Sequence, residues 1–177
     1  IRFLHSIVIG LLACASLPAA PPPAGAGRML QQLESESWIQ QAEALHYLGE
    51  HRVELATDAV RALLNNKTAH SWIRGRALLT LSQIETEVDP GEFGQWVAHD
   101  QSALRAAAAE VLELHGGNSA TTWIDILLKD ADPAVKCHAA AAHARRKKGA
   151  AWAVVDQLTA TPAPTLARAS ARALAFT

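Results

Sequence analysis

Ile73, Leu104, Val135 and Leu166 stand at one period of 31 residues, and no other feature restricts the fold of this chain as much. Their surroundings repeat with them. One position on come Arg74, Arg105, Lys136 and Ala167; four positions on come Ala77, Ala108, Ala139 and Ser170, all small; eight positions on come Leu81, Leu112, His143 and Leu174. Within one copy, Leu104, Ala107, Ala108, Val111 and Leu112 fall at i, i+3, i+4, i+7 and i+8, the single apolar stripe of an amphipathic helix. A second helix is expected after each first one, over residues 53–64, 90–98, 120–129 and 150–158. Such a pair cannot bury its stripe alone, so successive pairs must stack into one continuous core. The pattern predicts an all-α chain, a right-handed α-solenoid of four to five helical hairpins. The first copy is looser: Ser37-Trp38-Ile39 resembles Ser71-Trp72-Ile73 at a step of 34.

Composition agrees. Half of the 177 residues are hydrophobic and only 5% aromatic, with alanine and leucine dominant, residues that lose little side-chain freedom in a helix. The formal net charge of −1 supplies no field that would recruit nucleic acid or an anionic membrane surface.

The N-terminus reads differently. Arg2 precedes a hydrophobic run from Ile7 to Leu17, followed by small residues and prolines to Gly27. The pattern is that of a secretory signal peptide over residues 1–20, too short for a stable membrane anchor. Two cleavage chemistries fit. Ala13-Cys14-Ala15 suits the ordinary signal peptidase, and Leu11-Leu12-Ala13-Cys14 resembles a lipobox that would place a lipid anchor on Cys14. Residues 21–34 are a linker by composition, and the repeat domain is expected over 35–177. Export places the chain in the periplasm or beyond the cytoplasm, with no membrane span after cleavage. Cys137 then has no intramolecular partner and reads as an inert buried thiol.

Asp132-Pro133-Ala134-Val135-Lys136, leading into Ala139–Ala142, resembles the opening of a HEAT repeat of the short, phycobilisome-lyase-like kind. Residues 100–108 are a shifted second copy. The resemblance covers roughly residues 36–177 and implies a fold, and with it protein–protein interaction or scaffolding in a bacterial cell envelope. It also implies a ladder of Asp100 and Asp132 with Arg74, Arg105 and Lys136, fading where Thr161-Pro162 and Ala167 replace acid and base.

Two relatives of that fold are enzymes. Deoxyhypusine hydroxylases hold iron with His-Glu pairs, but here the corresponding positions carry Arg76-Ala77, Ala107-Ala108, His138-Ala139 and Ala169-Ser170. No catalytic residue of the bilin lyases can be matched. No Ser-His-Asp, phosphate-loop, CxxC or HExxH pattern occurs, and the eight histidines do not recur at one repeat position. The chain is read as non-catalytic, without cofactor or metal, its partner another protein. The alternative is an accessory or truncated module of a larger exported enzyme, suggested by an end inside the apolar stretch Ala173–Thr177. Arg145-Arg146-Lys147-Lys148 closes a helix, where cations complement its dipole. Trp38 and Trp72 open first helices. The resemblance places second helices on the inner face, which makes Glu54, Asp58, Glu92, Trp96, Trp123, Asp125, Trp152 and Asp156 the candidate protein-binding residues: an acidic groove with aromatic anchors for a basic or amphipathic segment.

Overall fold

The computed structural model describes residues 22–85, 90–115 and 120–146. Along them run α1 (Ala26–Leu33), α2 (Trp38–Glu50), a 3-10 turn (Glu54–Ala56), α3 (Thr57–Asn65), α4 (Ser71–Ile84), α5 (Pro90–Val97), α6 (Ser102–His115), α7 (Ala120–Leu127) and α8 (Pro133–Arg146). No strand occurs among the described residues.

The 31-residue period is a structural period. Ile73, Leu104 and Val135 are each the third residue of a 14-residue helix, and each is fully buried. Leu166 and its copy lie outside the described residues, as does the second helix expected over 150–158. The first helices α2, α4, α6 and α8 pack side by side in one layer. The second helices form another, α3 resting on α4, α5 on α6, and α7 on α6 and α8. Ala77, Ala108 and Ala139 have no exposed surface, and these small residues let the first helices approach. Backbone meets backbone at Gly75, where a Cβ atom would stand 2.9 Å from the Ala103 carbonyl oxygen. Thr80 Oγ1 bridges the layer on the other side, donating to the Leu45 carbonyl at 3.0 Å.

The basic residues after the first two anchors, Arg74 and Arg105, join the layers, whereas the Lys136 side chain makes no hydrogen bond or ion pair among the described residues. Arg74 is buried, donating from Nε to the Leu64 carbonyl at the end of α3 (2.8 Å) and from Nη1 to Gln101 Oε1 (2.8 Å). Arg105 donates to the His99 and Asp100 carbonyls (2.7 and 2.9 Å) and grips both carboxylate oxygens of Asp130 (2.6 and 2.9 Å). The ladder therefore exists with different acceptors: Gln101 and Asp130 stand in for Asp100 and Asp132. Asp132 instead caps α8, accepting from the Ala134 N–H at 2.8 Å, which leaves the reach across the repeats to the residue two positions earlier. Asp100 turns to His99.

Two other expectations change. The supposed linker contains α1, whose Ala26 and Leu33 are buried and whose Met29 and Leu30 pack on the core. Proline, glycine and alanine suggested a tether, but these four apolar residues at helical spacing cover the open end of α2 and α3. Gly25, at φ 106°, turns the chain into the helix, and Tyr47 Oη holds that turn through the Ala24 carbonyl at 2.7 Å. The Ser-Trp-Ile match also slips. In α2 the buried set is Ala44, Leu45, Leu48 and Gly49, matching Ala77, Leu78, Leu81 and Ser82 of α4 at a step of 33. Ile39 is accordingly exposed while Ile73 is buried.

Candidate interaction surface

Among the described residues, the second-helix face keeps its acids at the surface and its tryptophans half-buried. Glu54 and Asp58 are exposed. Asp125 is exposed as well and lies 3.7 Å from His143 Nδ1. Trp96 and Trp123 are half-buried against the core. The Trp96 ring stacks on His99, centroids 5.9 Å apart and planes 21° from parallel. The Trp123 ring faces Gly94, where a Cβ would sit 3.5 Å away. Each ring thus spends part of its surface on packing, and Trp96 also lines a pocket of 180 Å³ with Arg61, Glu85 and Gln95. The Glu92 side chain, Trp152 and Asp156 lie outside the described residues, as do the signal-peptide segment and Cys14.

Among the described residues, the exposed tryptophans belong to the first helices. Trp38 and Trp72 are 56% and 44% exposed, with Ile39 beside Trp38 in sequence and 52% exposed. The two indoles meet edge to face, 5.9 Å between centroids at 88°. Beside them a groove of 480 Å³ crosses α4, α6 and α8. Its form follows from the repeat. At matching positions α4 carries Trp72, Arg76 and Leu79, whereas α6 carries Ala103, Ala107 and Glu110, and α8 carries Ala134 and His138. Large side chains on one helix and alanines on the next leave a wall and a floor. The signal for this face was present in the sequence: Trp72, Arg76 and Leu79 fall at i, i+4 and i+7 on the side of α4 away from its buried stripe.

The charges of the groove are few. His138 Nδ1 stands 2.7 Å from Glu110 Oε1, so that carboxylate is engaged. Arg76 is half-buried, and no ion pair involves it among the described residues. Most other cations of the first helices serve the fold: Arg74 and Arg105 join the layers, Arg145 pairs with Glu113, and Arg146 reaches the Leu112 carbonyl at the end of α6 (3.2 Å). Lys147 and Lys148 lie outside the described residues.

Chemistry is sparse. Cys137 is buried, and burial, with Asp132 adding to it, pushes its thiol above the ordinary value, the opposite of what a nucleophile needs. Among the described residues no three of His, Cys, Asp and Glu gather as a metal site, and no helix is long and apolar enough to cross a membrane.

Residues 28–113 match the family model for HEAT repeats. No curated protein matches the chain.

Proposed function

We propose that this chain, a HEAT-repeat protein, works without catalysis by binding another protein through its first-helix face, and that it does so outside the bacterial cytoplasm. One observation carries the reading: an exposed pair of tryptophans beside a groove floored by alanines. Tryptophan is enriched among residues that dominate binding energy, and an indole left open to water beside a concavity gains apolar contact when a partner covers it. The raised thiol of buried Cys137 supports a binding role over a catalytic one. The hydrophobic run of residues 7–17 behind Arg2 supports export.

The test is a crosslinking capture from cell envelopes. Trp38→Ser with Trp72→Ser should abolish capture of the partner and leave helix content and Tm nearly unchanged, because both rings are exposed. Asp58→Lys with Asp125→Lys should leave capture intact; the reverse pattern would move the interface to the second helices. Mass spectrometry of the mature protein should find residues 1 to about 20 removed, and an unprocessed cytoplasmic chain defeats the envelope assignment. Elemental analysis of untagged protein should find no stoichiometric iron or zinc, and finding either would revive the enzymatic reading.

A further inference from the structure

The first-helix groove has dimensions, a polarity and a register, and together they describe what fits it. Its floor is α6 and its walls are α4 and α8. Neighbouring packed helices lie roughly 8–10 Å apart, so walls two helices apart stand about 16–20 Å from axis to axis. An α-helix with its side chains is about 10–12 Å across. The radii of the wall helices come off that separation, so a ligand helix would lie over α6, seated on its alanines, rather than between α4 and α8. The floor runs from Ser102 to Glu110, between two and three helical turns. One wall offers the apolar surfaces of Trp72 and Leu79. Between them on the same face stands Arg76, one turn from Trp72, with no acidic partner among the described residues. Glu110, the acid that lines the groove, is already held by His138 at 2.7 Å. The charge that the groove presents to a ligand is therefore positive, and it is flanked by apolar surface on both sides.

We infer that this groove takes an amphipathic α-helix of acidic character. Its apolar stripe lies on Ala103 and Ala106 against Trp72 and Leu79, and a carboxylate at the edge of the stripe pairs with Arg76. The inference rests on the reading that the chain binds another protein, and it names the chemistry of the partner. A helix in a groove is read through anchors at i, i+3, i+4 and i+7. A half-buried guanidinium beside apolar surface favours a carboxylate, disfavours a lysine, and so sets the sign of the partner. The partner inferred here is the opposite of the one that the acidic second-helix face would select.

The experiment uses the mature chain and three labelled 18-residue peptides with one Leu/Ala stripe and flanking positions that are Glu, Lys or Gln. A fourth peptide scrambles the Glu sequence and loses the stripe. Binding is followed by fluorescence anisotropy and by quenching of Trp72. The Glu peptide should bind at least about tenfold tighter than the Lys peptide, with the Gln peptide between them and the scramble weakest. Arg76→Glu should reverse the order, Arg76→Lys should keep it, and Arg76→Gln should flatten it. Ala106→Trp, which fills the floor, should abolish binding of all peptides while circular dichroism and Tm show the fold retained. A preference for the Lys peptide, equal binding of the scramble, or an order untouched by Arg76→Glu would overturn the inference. Self-association of the chain that Arg76→Glu abolishes would give the groove to a second copy and also overturn it. Envelope capture separates this failure from a broader one: a natural partner still lost with the paired Trp38 and Trp72 substitutions, but indifferent to Arg76→Glu, leaves the protein-binding reading standing and removes the acidic helix.

Discussion

At the scale of single residues, Arg105 and Asp130 carry the clearest energetic consequence. Both side chains are largely buried, and two hydrogen bonds join them. Those bonds hold the Asp130 carboxyl below its ordinary value of 3.8 and raise the Arg105 guanidinium. A carboxyl depressed in the folded state contributes stability that is present above 3.8 and lost as pH falls through the lower folded value. Asp130→Asn should cost about 2 kcal/mol at neutral pH. The variant's unfolding free energy should change less than the wild type's below pH 4, so urea titrations of the two should converge there. His99 acts earlier. Burial, followed by the charges of Arg74 and Arg105, lowers it from 6.5 against the opposing pull of Asp100. Neutral, its Nδ1 accepts the Gln101 N–H at 3.0 Å. A depressed histidine favours the fold above 6.5 and loses that contribution as pH falls through its folded value. His99→Gln should remove the first step of acid destabilisation and leave the step below pH 4. The sequence showed the arginines of this network but not their acceptors, because Asp100 competes with its neighbour Gln101, and Asp132 with Asp130, and only the turn geometry chooses.

At the scale of elements, two glycines inside helices make opposite predictions. Replacing glycine by alanine in a helix ordinarily gains up to about 1 kcal/mol. At Gly75 the new Cβ would lie 2.9 Å from the Ala103 backbone oxygen, which cannot move without parting α4 from α6. Gly75→Ala should therefore destabilise by about 1–3 kcal/mol, the range for overpacking. At Gly49 the Cβ would run into the Gln83 side-chain oxygen, the free end of an exposed side chain that can swing away. Gly49→Ala should be neutral or stabilising. Thermal melts of both variants check the pair, and two shifts of the same sign would mean that the α4–α6 spacing is not set at Gly75. Helix type and phase were legible in the stripes of α4, α6 and α8, where the buried residues recur at the predicted positions. α1 was not legible, because an eight-residue helix behind a run of prolines has too few apolar positions to stand out until the uncovered end of α2 and α3 is in view.

At the scale of the whole molecule, stacking makes stability a sum over neighbours. α6 is flanked by α4 and α8 in its own layer and by α5 and α7 in the other, whereas α1 touches α2 and α3 alone among the principal contacts. Leu112→Ala in α6 should lower global stability by about 2–4 kcal/mol. Leu33→Ala should mainly loosen α1, its loss appearing as local exchange. Hydrogen–deuterium exchange should show the amides of α1 exchanging well before those of α4 and α6 in the wild type, and uniform protection would mean that the stack unfolds as a single unit.

The chain by itself determined the class of fold. Its period of 31 and its alanine-leucine stripes leave helical hairpins that must stack, because the stripe of one pair has nowhere else to be buried. It also determined which residues of α4, α6 and α8 face inward, since burial follows the 3.6-residue turn. Which surface lies open was decided only by the tertiary structure. Trp96 and Trp123 could be anchors or glue by sequence alone, and only the packing of α5 and α7 seats them half-buried against the core. Trp72 and Arg76 become a wall only when the alanines of α6 are set beside them. A stripe is a property of one helix, and a groove is a difference between two.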